Sequence, residues 1–228
     1  MQIIFFCTLL GISLLLGLAW YFSQHIQKGT KILCFQKIGT PFKKSTLKSE
    51  WISPRTLEKK IQRLIKRNYT FLRPDQLSSP HPQKSVLLVF RGGYRSFYTA
   101  AFPLLQKYNI PAMIFLTPDL IGQYNAWQDS HQEPWQDLIT KDELDTLKNS
   151  PLISFGALPL GGQNITACPP EQAVFLLQES IYRLKHQWGI APLFWSNYSK
   201  REIPGTLISN LKQQGISLSF LDEQFVSR

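Results

Sequence analysis

The chain alternates short, almost wholly apolar runs with longer segments whose apolar residues recur at helical spacing. "SVLLVF", from Ser85 to Phe90, has no polar interruption after its first residue, as expected of a strand covered on both faces of a sheet. "KILCFQ", "TFL", "PAMIFL", "LISFG", "APLFW" and "ISLSFL" read as further short strands. Between them, "SPRTLEKKIQRLIKRN" predicts a helix with Ser53 as cap, Pro54 in first position and Asn68 as stop, with Leu57, Ile61, Leu64 and Ile65 on one face. "SFYTAAFPLLQKY" predicts a helix stopped at Asn109. "TKDELDTLKN" predicts one that turns Leu144 and Leu147 inward. "PPEQAVFLLQESIYRLKHQWG" opens on proline and closes on Gly189, and a last helix falls near "GTLISNLKQQG". Strands that alternate with helices in this way predict a parallel α/β sheet or barrel.

The amino-terminal stretch breaks the pattern. "IIFFCTLLGISLLLGLAWYF", residues 3–22, carries no charge and is long enough as a helix to cross a bilayer of roughly 30 Å. Trp20 and Tyr21 suit a membrane interface. A cleaved signal peptide is the competing reading, but the run exceeds the usual apolar core, no Lys or Arg precedes it, and no small-x-small site follows. The chain therefore divides into an anchor or signal segment at 1–23, a basic juxtamembrane part at 24–84 with the first strand and helix, and a core at 85–228. Lys28, Lys31 and Lys37 after the anchor favour a cytoplasmic body by the positive-inside rule.

Charge sharpens that division. The chain of 228 residues has a net charge of +10, and residues 24–85 hold fourteen Lys and Arg against Glu50, Glu58 and Asp75. That segment contributes +11 and all other residues together −1. Such a block is either a solvated surface or a device for attracting anionic lipid or polymer. Nucleic acid is disfavoured, because no zinc spacing, aromatic strand motif or recognition-helix pattern accompanies the charge. Cys7, Cys34 and Cys168 are too few and too scattered for a disulfide framework or metal knuckle, and Cys34 reads as a small core residue.

Three segments then carry a resemblance. "LCFQKIG", "VFRGGYRSFYTAAFPLLQKYNIPAMIFL" and "FGALPLGGQNIT" occur in the order and approximate wording of the polysaccharide deacetylase family, the NodB-homology domain of carbohydrate esterase family 4. The similarity runs from about Lys31 to Phe220. It implies a distorted (β/α) barrel, here shortened at its carboxyl end, and an extracytoplasmic body, opposite to the charge rule. Active members of the family are implied to remove acetyl groups from N-acetyl sugars. A divalent metal such as zinc, held by one Asp and two His, polarises the amide and activates water, and a second Asp takes the proton.

Carried over position by position, the resemblance finds none of those groups. Arg91 stands where the base Asp is expected, and Gly92 where the metal-binding Asp is. Leu158 and Gly162 stand where the two His are. Gln36 replaces a further His, and "LFWSNY" with Trp195, Ser196 and Asn197 departs from the family's later strand-end motif. Gly93, Tyr94, Gly156, Asn164 and Thr166 still match. Leucine and glycine offer no ligand, and a guanidinium neither accepts a proton at pH 7 nor tolerates a neighbouring divalent cation.

No cofactor is therefore expected, and restoring the four residues is expected to restore metal uptake. Asp129, His131 and Glu133 alternate in a predicted loop and read as solvated, with a substitute metal site as the alternative. His25, His81 and His186 read as surface residues. Ser85, Ser96 and Cys168 lack a nearby base. The sequons at Asn68, Asn164 and Asn197 carry no weight. The leading expectation is a membrane-anchored, noncatalytic protein with a cleft of Arg91, Tyr94 and Trp195 for an acidic or N-acetylated glycan or a protein partner. Its alternatives are an active deacetylase that uses substitute residues and a structural adaptor held at the membrane by its basic part.

Overall fold

The structure is a computed structural model, and it describes residues 30–80, 82–131, 133–197, 203–213, 215 and 219–220. The apolar stretch 3–22 lies outside these residues. Among the described residues no helix is long and apolar enough to cross a membrane.

Seven strands form one wholly parallel sheet: β1 (Lys31–Phe35), β4 (Thr70–Phe71), β5 (Ser85–Arg91), β6 (Ala112–Leu116), β7 (Ile153–Ala157), β8 (Phe194–Trp195) and β9 (Ser219–Phe220). The order is β1-β5-β6-β7-β8-β9, and β4 pairs with the first two residues of β5. A separate pair, β2 (Lys37–Ile38) and β3 (Trp51–Ile52), lies just beyond β1. Among the described residues β1 and β9 are the two ends of the sheet, which is half-barrel-like rather than a closed barrel.

Every residue of β5 is buried, as its unbroken apolar run requires. Side chains alternate between two cores. Val86, Leu88 and Phe90 join Ala112, Ile114 and Leu116 against the helices. Leu87, Val89, Met113 and Phe115 meet Ile32 and Leu158 on the opposite, inner face. Gly156 of β7 lies where that face is tightest. A Cβ there would approach the Phe115 ring to 2.4 Å and the Met113 methyl to 2.7 Å. Gly156→Ala is expected to cost about 1–3 kcal/mol by overpacking, read as a lower urea midpoint; an unchanged midpoint would contradict this packing.

The helices follow their sequence signals. α1 (Pro54–Lys66) starts where the Ser53 hydroxyl accepts the Thr56 amide, and the chain leaves it through Asn68 at φ 57°. Leu57 and Ile61 face the core, but Ile65 is exposed. α2 (Phe102–Tyr108) is preceded by a wider turn over 97–101. Pro103 has no N–H to give the carbonyl four residues back, and the Phe102 amide reaches Phe97 instead. α3 (Lys141–Lys148) opens on a reciprocal cap between Thr140 and Glu143, with Leu144 and Leu147 buried. α4 (Pro170–His186) and α5 (Gly205–Gln213) complete the cover.

The segment between β6 and α3 is stitched down rather than loose. The Ile139 amide donates to the Gly93 carbonyl and the Arg95 amide to Asp137, and bridges pair Tyr94 with Leu138 and Tyr124 with Asp137. The Tyr124 and Trp135 rings stack at 4.7 Å. This excursion crosses the carboxyl ends of the strands, the end at which parallel α/β folds build their sites.

Candidate functional site

Arg91 is the last residue of β5, and Leu158 and Gly162 follow β7 at the same end of the sheet. The register joins them: Arg91 pairs with Phe115, Phe115 with Gly156, and the Leu158 amide donates to the Leu116 carbonyl. The four positions thus do converge on one place, but with side chains unfit for an ion. The Arg91 guanidinium is 3% exposed and donates to the Asn197 carbonyl at 3.3 Å. Leu158 is fully buried in the inner apolar cluster.

Gly162 leaves no room for a side chain. It adopts φ 61°, and a Cβ built on it would lie 2.5 Å from the Trp127 indole. Trp127, carried in by the stitched excursion, occupies the space into which a side chain at 162 would grow. Gly92 also has a positive φ, 107°. Both glycines sit in backbone that L-residues adopt only under strain. Both features weigh against the expectation that restoring the four residues restores metal uptake. Sequence gave no hint of Trp127, because its role depends on a fold-back of 35 residues.

A cleft of about 340 Å³ opens beside Arg91, between the end of β1 and α1, with Gln36, Glu50, Trp51, Thr56 and Lys60 in its wall. The expected cleft also included Tyr94 and Trp195. Each is 1% exposed, so neither ring presents a face to a ligand. Tyr94 sits edge-on to Trp127 at 6.1 Å, and Trp195 belongs to the helix-side core. Cys34 lines the cleft rather than the core centre, and neither Cys34 nor Cys168 forms a disulfide.

Beside the cleft lies a buried ionic cluster that the sequence did not announce. Lys37 and Glu133 are both fully buried. The Lys37 ammonium donates to Gln128 at 2.9 Å, lies 3.2 Å from Glu50 and 3.4 Å from Glu133, and sits over the Trp51 and Tyr94 rings. Glu133 also accepts from the Trp51 indole at 2.8 Å and from the Ser45 hydroxyl. Burial by itself pushes the Glu133 carboxyl up; the bonds from Ser45 and Trp51 and the Lys37 charge outweigh it and hold the carboxyl below its ordinary value. With its three protons directed at partners and no exposure, Lys37 acts as a tie and not as a nucleophile.

That cluster corrects two readings. Glu133 faces inward while Asp129 and His131 are exposed, so the alternating trio cannot close on an ion. Lys37 is sequestered and adds nothing to the basic surface. Among the described residues no group of three His, Cys, Asp or Glu could hold a metal.

A model of the polysaccharide deacetylase family matches residues 78–218, more than half of the chain. A stretch of 34 residues is 53% identical to the poly-beta-1,6-N-acetyl-D-glucosamine N-deacetylase of Escherichia coli K12, covering 15% of this chain and 5% of that protein. The chain thus matches only a small part of that curated relative. Among solved structures, IcaB from Ammonifex degensii superposes with a TM-score of 0.70 at 20% identity, covering 85% of this chain and 83% of that one. A de-N-acetylase from Aggregatibacter actinomycetemcomitans gives 0.67 at 16% identity, covering 84% and 87%. The Streptococcus pyogenes deacetylase PplD gives 0.65 at 19% identity, covering 82% and 80%. With the strand order, the three motif segments and the family match in agreement, this chain belongs to the polysaccharide deacetylase family.

Proposed function

We propose that this chain is a catalytically silent, membrane-tethered member of the family that binds a cell-envelope glycan in the cleft beside Arg91. The observation that carries the reading is a strand end built from a buried arginine, a core leucine and a glycine backed by Trp127, at the positions where the family resemblance would put metal-holding groups. The residues present do not fit a divalent ion, so no step is routed through one. What persists is a scaffold with a walled cleft, Arg91 buried in its wall, that offers the Lys60 cation, the Thr56 hydroxyl and the Gln36 amide. Those groups suit a hydroxyl-rich ligand with amide or acidic substituents. The name of the curated relative makes an N-acetylated glucosamine polymer the first ligand to try. The uncharged stretch 3–22 supplies the tether.

The test is to incubate the purified full chain with a β-1,6-linked N-acetylglucosamine oligomer, follow binding by calorimetry, and assay acetate. The oligomer is expected to bind without acetate release, and Lys60→Gln, folded by circular dichroism, to weaken binding roughly ten-fold through loss of a charge-assisted hydrogen bond. Release of acetate would replace this reading with an active hydrolase. Absence of binding would replace it with a membrane-held adaptor.

A further inference from the structure

The parallel topology sorts charge to one end of the molecule. Every strand of the main sheet starts at the end opposite the cleft, and the helices between the strands run back toward it. Cations in the last turns of those helices need no special account, because they complement the helix dipoles. Several are also held by acids: Lys107 by Glu58 at 2.7 Å, Lys148 by Asp145 at 3.2 Å and Arg183 by Glu179 at 2.7 Å.

A second set is not explained by the dipoles alone, because Lys31, Arg73 and Lys84 lie at strand starts or in turns rather than in a helix. Lys31 opens β1, Arg67 follows α1, Arg73 follows β4 and Lys84 immediately precedes β5. The register brings them together, since Lys31 pairs with Val86 and Thr70 with Ser85. All four are exposed, as is Lys66 one residue before Arg67. Lys31, Lys84 and Arg67 lie close to Tyr69, over whose ring the Lys31 ammonium lies at 5.0 Å. A hydrogen bond from Lys31 and the charges of Lys31, Lys84 and Arg67 hold the Tyr69 hydroxyl below its ordinary value. Asp75, the acid on the same turns, is paired with Arg73 at 3.3 Å.

The same end is where residue 30 enters the sheet. Eight residues, 23–30, separate the uncharged stretch from Lys31 and reach at most about 30 Å when extended. A domain tethered there cannot move its strand starts far from the bilayer surface.

We propose that the strand-start face formed by Lys31, Lys66, Arg67, Arg73 and Lys84 docks on anionic phospholipid headgroups, which turns the cleft beside Arg91 away from the membrane. This rests on the tether reading of residues 3–22 and adds an orientation to it. Clustered cations at a membrane surface attract acidic lipid additively, and salt screens the attraction.

The full chain is mixed with vesicles of phosphatidylcholine alone or of phosphatidylcholine with phosphatidylglycerol. Flotation reads attachment, and a water-soluble amine-acylating reagent followed by mass spectrometry reads the exposure of each lysine. On the anionic vesicles Lys31, Lys66 and Lys84 are expected to react several-fold more slowly than on the neutral ones. Lys43 and Lys141, at the cleft end, are expected to react equally on both. High salt or the double variant Arg67→Glu, Lys84→Glu should remove the difference. Equal labelling of all five lysines on both vesicle types, in a chain that floats with both, overturns the docking face and leaves the tether. Salt-sensitive flotation with anionic vesicles only supports the face and overturns the tether. Flotation with neither overturns both.

Discussion

Glu133→Ala is expected to destabilise the folded chain by about 3–5 kcal/mol, because it strands the Lys37 ammonium in an interior where the side chain has no exposure. Glu50 and Gln128 would remain as partners, at 3.2 and 2.9 Å, but the Trp51 indole and Ser45 hydroxyl would lose their acceptor. A loss of that size is a large share of an ordinary domain's stability, so it would register as a Tm drop of roughly 6–20 degrees. Glu133→Gln keeps an acceptor for both donors and should cost less. The direction with pH follows from the lowered Glu133 carboxyl. Between its folded value and the ordinary glutamate value of about 4.3, the unfolded chain binds more protons. The contribution of Glu133 is therefore complete above that ordinary value and is lost as pH falls through the folded one. Denaturant melts of wild type and Glu133→Ala from neutral to acid pH should converge as the pH falls. A variant as stable as wild type at pH 7 would mean that the tie between Lys37 and the 123–138 excursion is not formed.

The second large effect concerns the four strand-end positions. The fourfold variant Arg91→Asp, Gly92→Asp, Leu158→His, Gly162→His is expected to take up no stoichiometric metal and to lose several kcal/mol of stability. Two of its changes force L-residues into φ of 107° and 61°, each costing about 1–2 kcal/mol. A third places imidazole in the apolar cluster of Ile32, Leu87, Val89, Met113 and Phe115. The change at Gly162 also drives a side chain into Trp127. Because such a variant could fail to fold, a cycle with smaller changes isolates the steric part. Gly162→Ala alone should cost about 2–4 kcal/mol, and in a Trp127→Ala background only the backbone part of that, about 1–2 kcal/mol. An equal cost in both backgrounds would show that Trp127 does not fill that space.

How much of this could be read from the chain differs by range. Local signals held: Ser53 and Pro54 begin α1, Asn68 ends it, and the apolar run of β5 is buried on both faces. Arg91, Leu158 and Gly162 were singled out from the chain alone, and the sheet register does bring them to one end. Long-range features were not. Lys37 and Glu133 are 96 residues apart, and nothing local distinguishes either from a solvated charge. Tyr94 and Trp195 flank the site in sequence, yet both rings turn into the fold, because a large apolar ring at a strand end gains more by burial than by exposure. Trp127 became meaningful only once the excursion after β6 was folded back over the strand ends.

The central claim is that this deacetylase scaffold lacks the groups to retain a divalent ion where its strands end. Elemental analysis of the purified full chain, produced with zinc, cobalt and nickel supplied and then dialysed against a mild chelator, tests it most directly. The account predicts only substoichiometric, variable metal and no acetate released from N-acetylglucosamine oligomers; one tightly held ion per chain, removed only with loss of deacetylation, would contradict it.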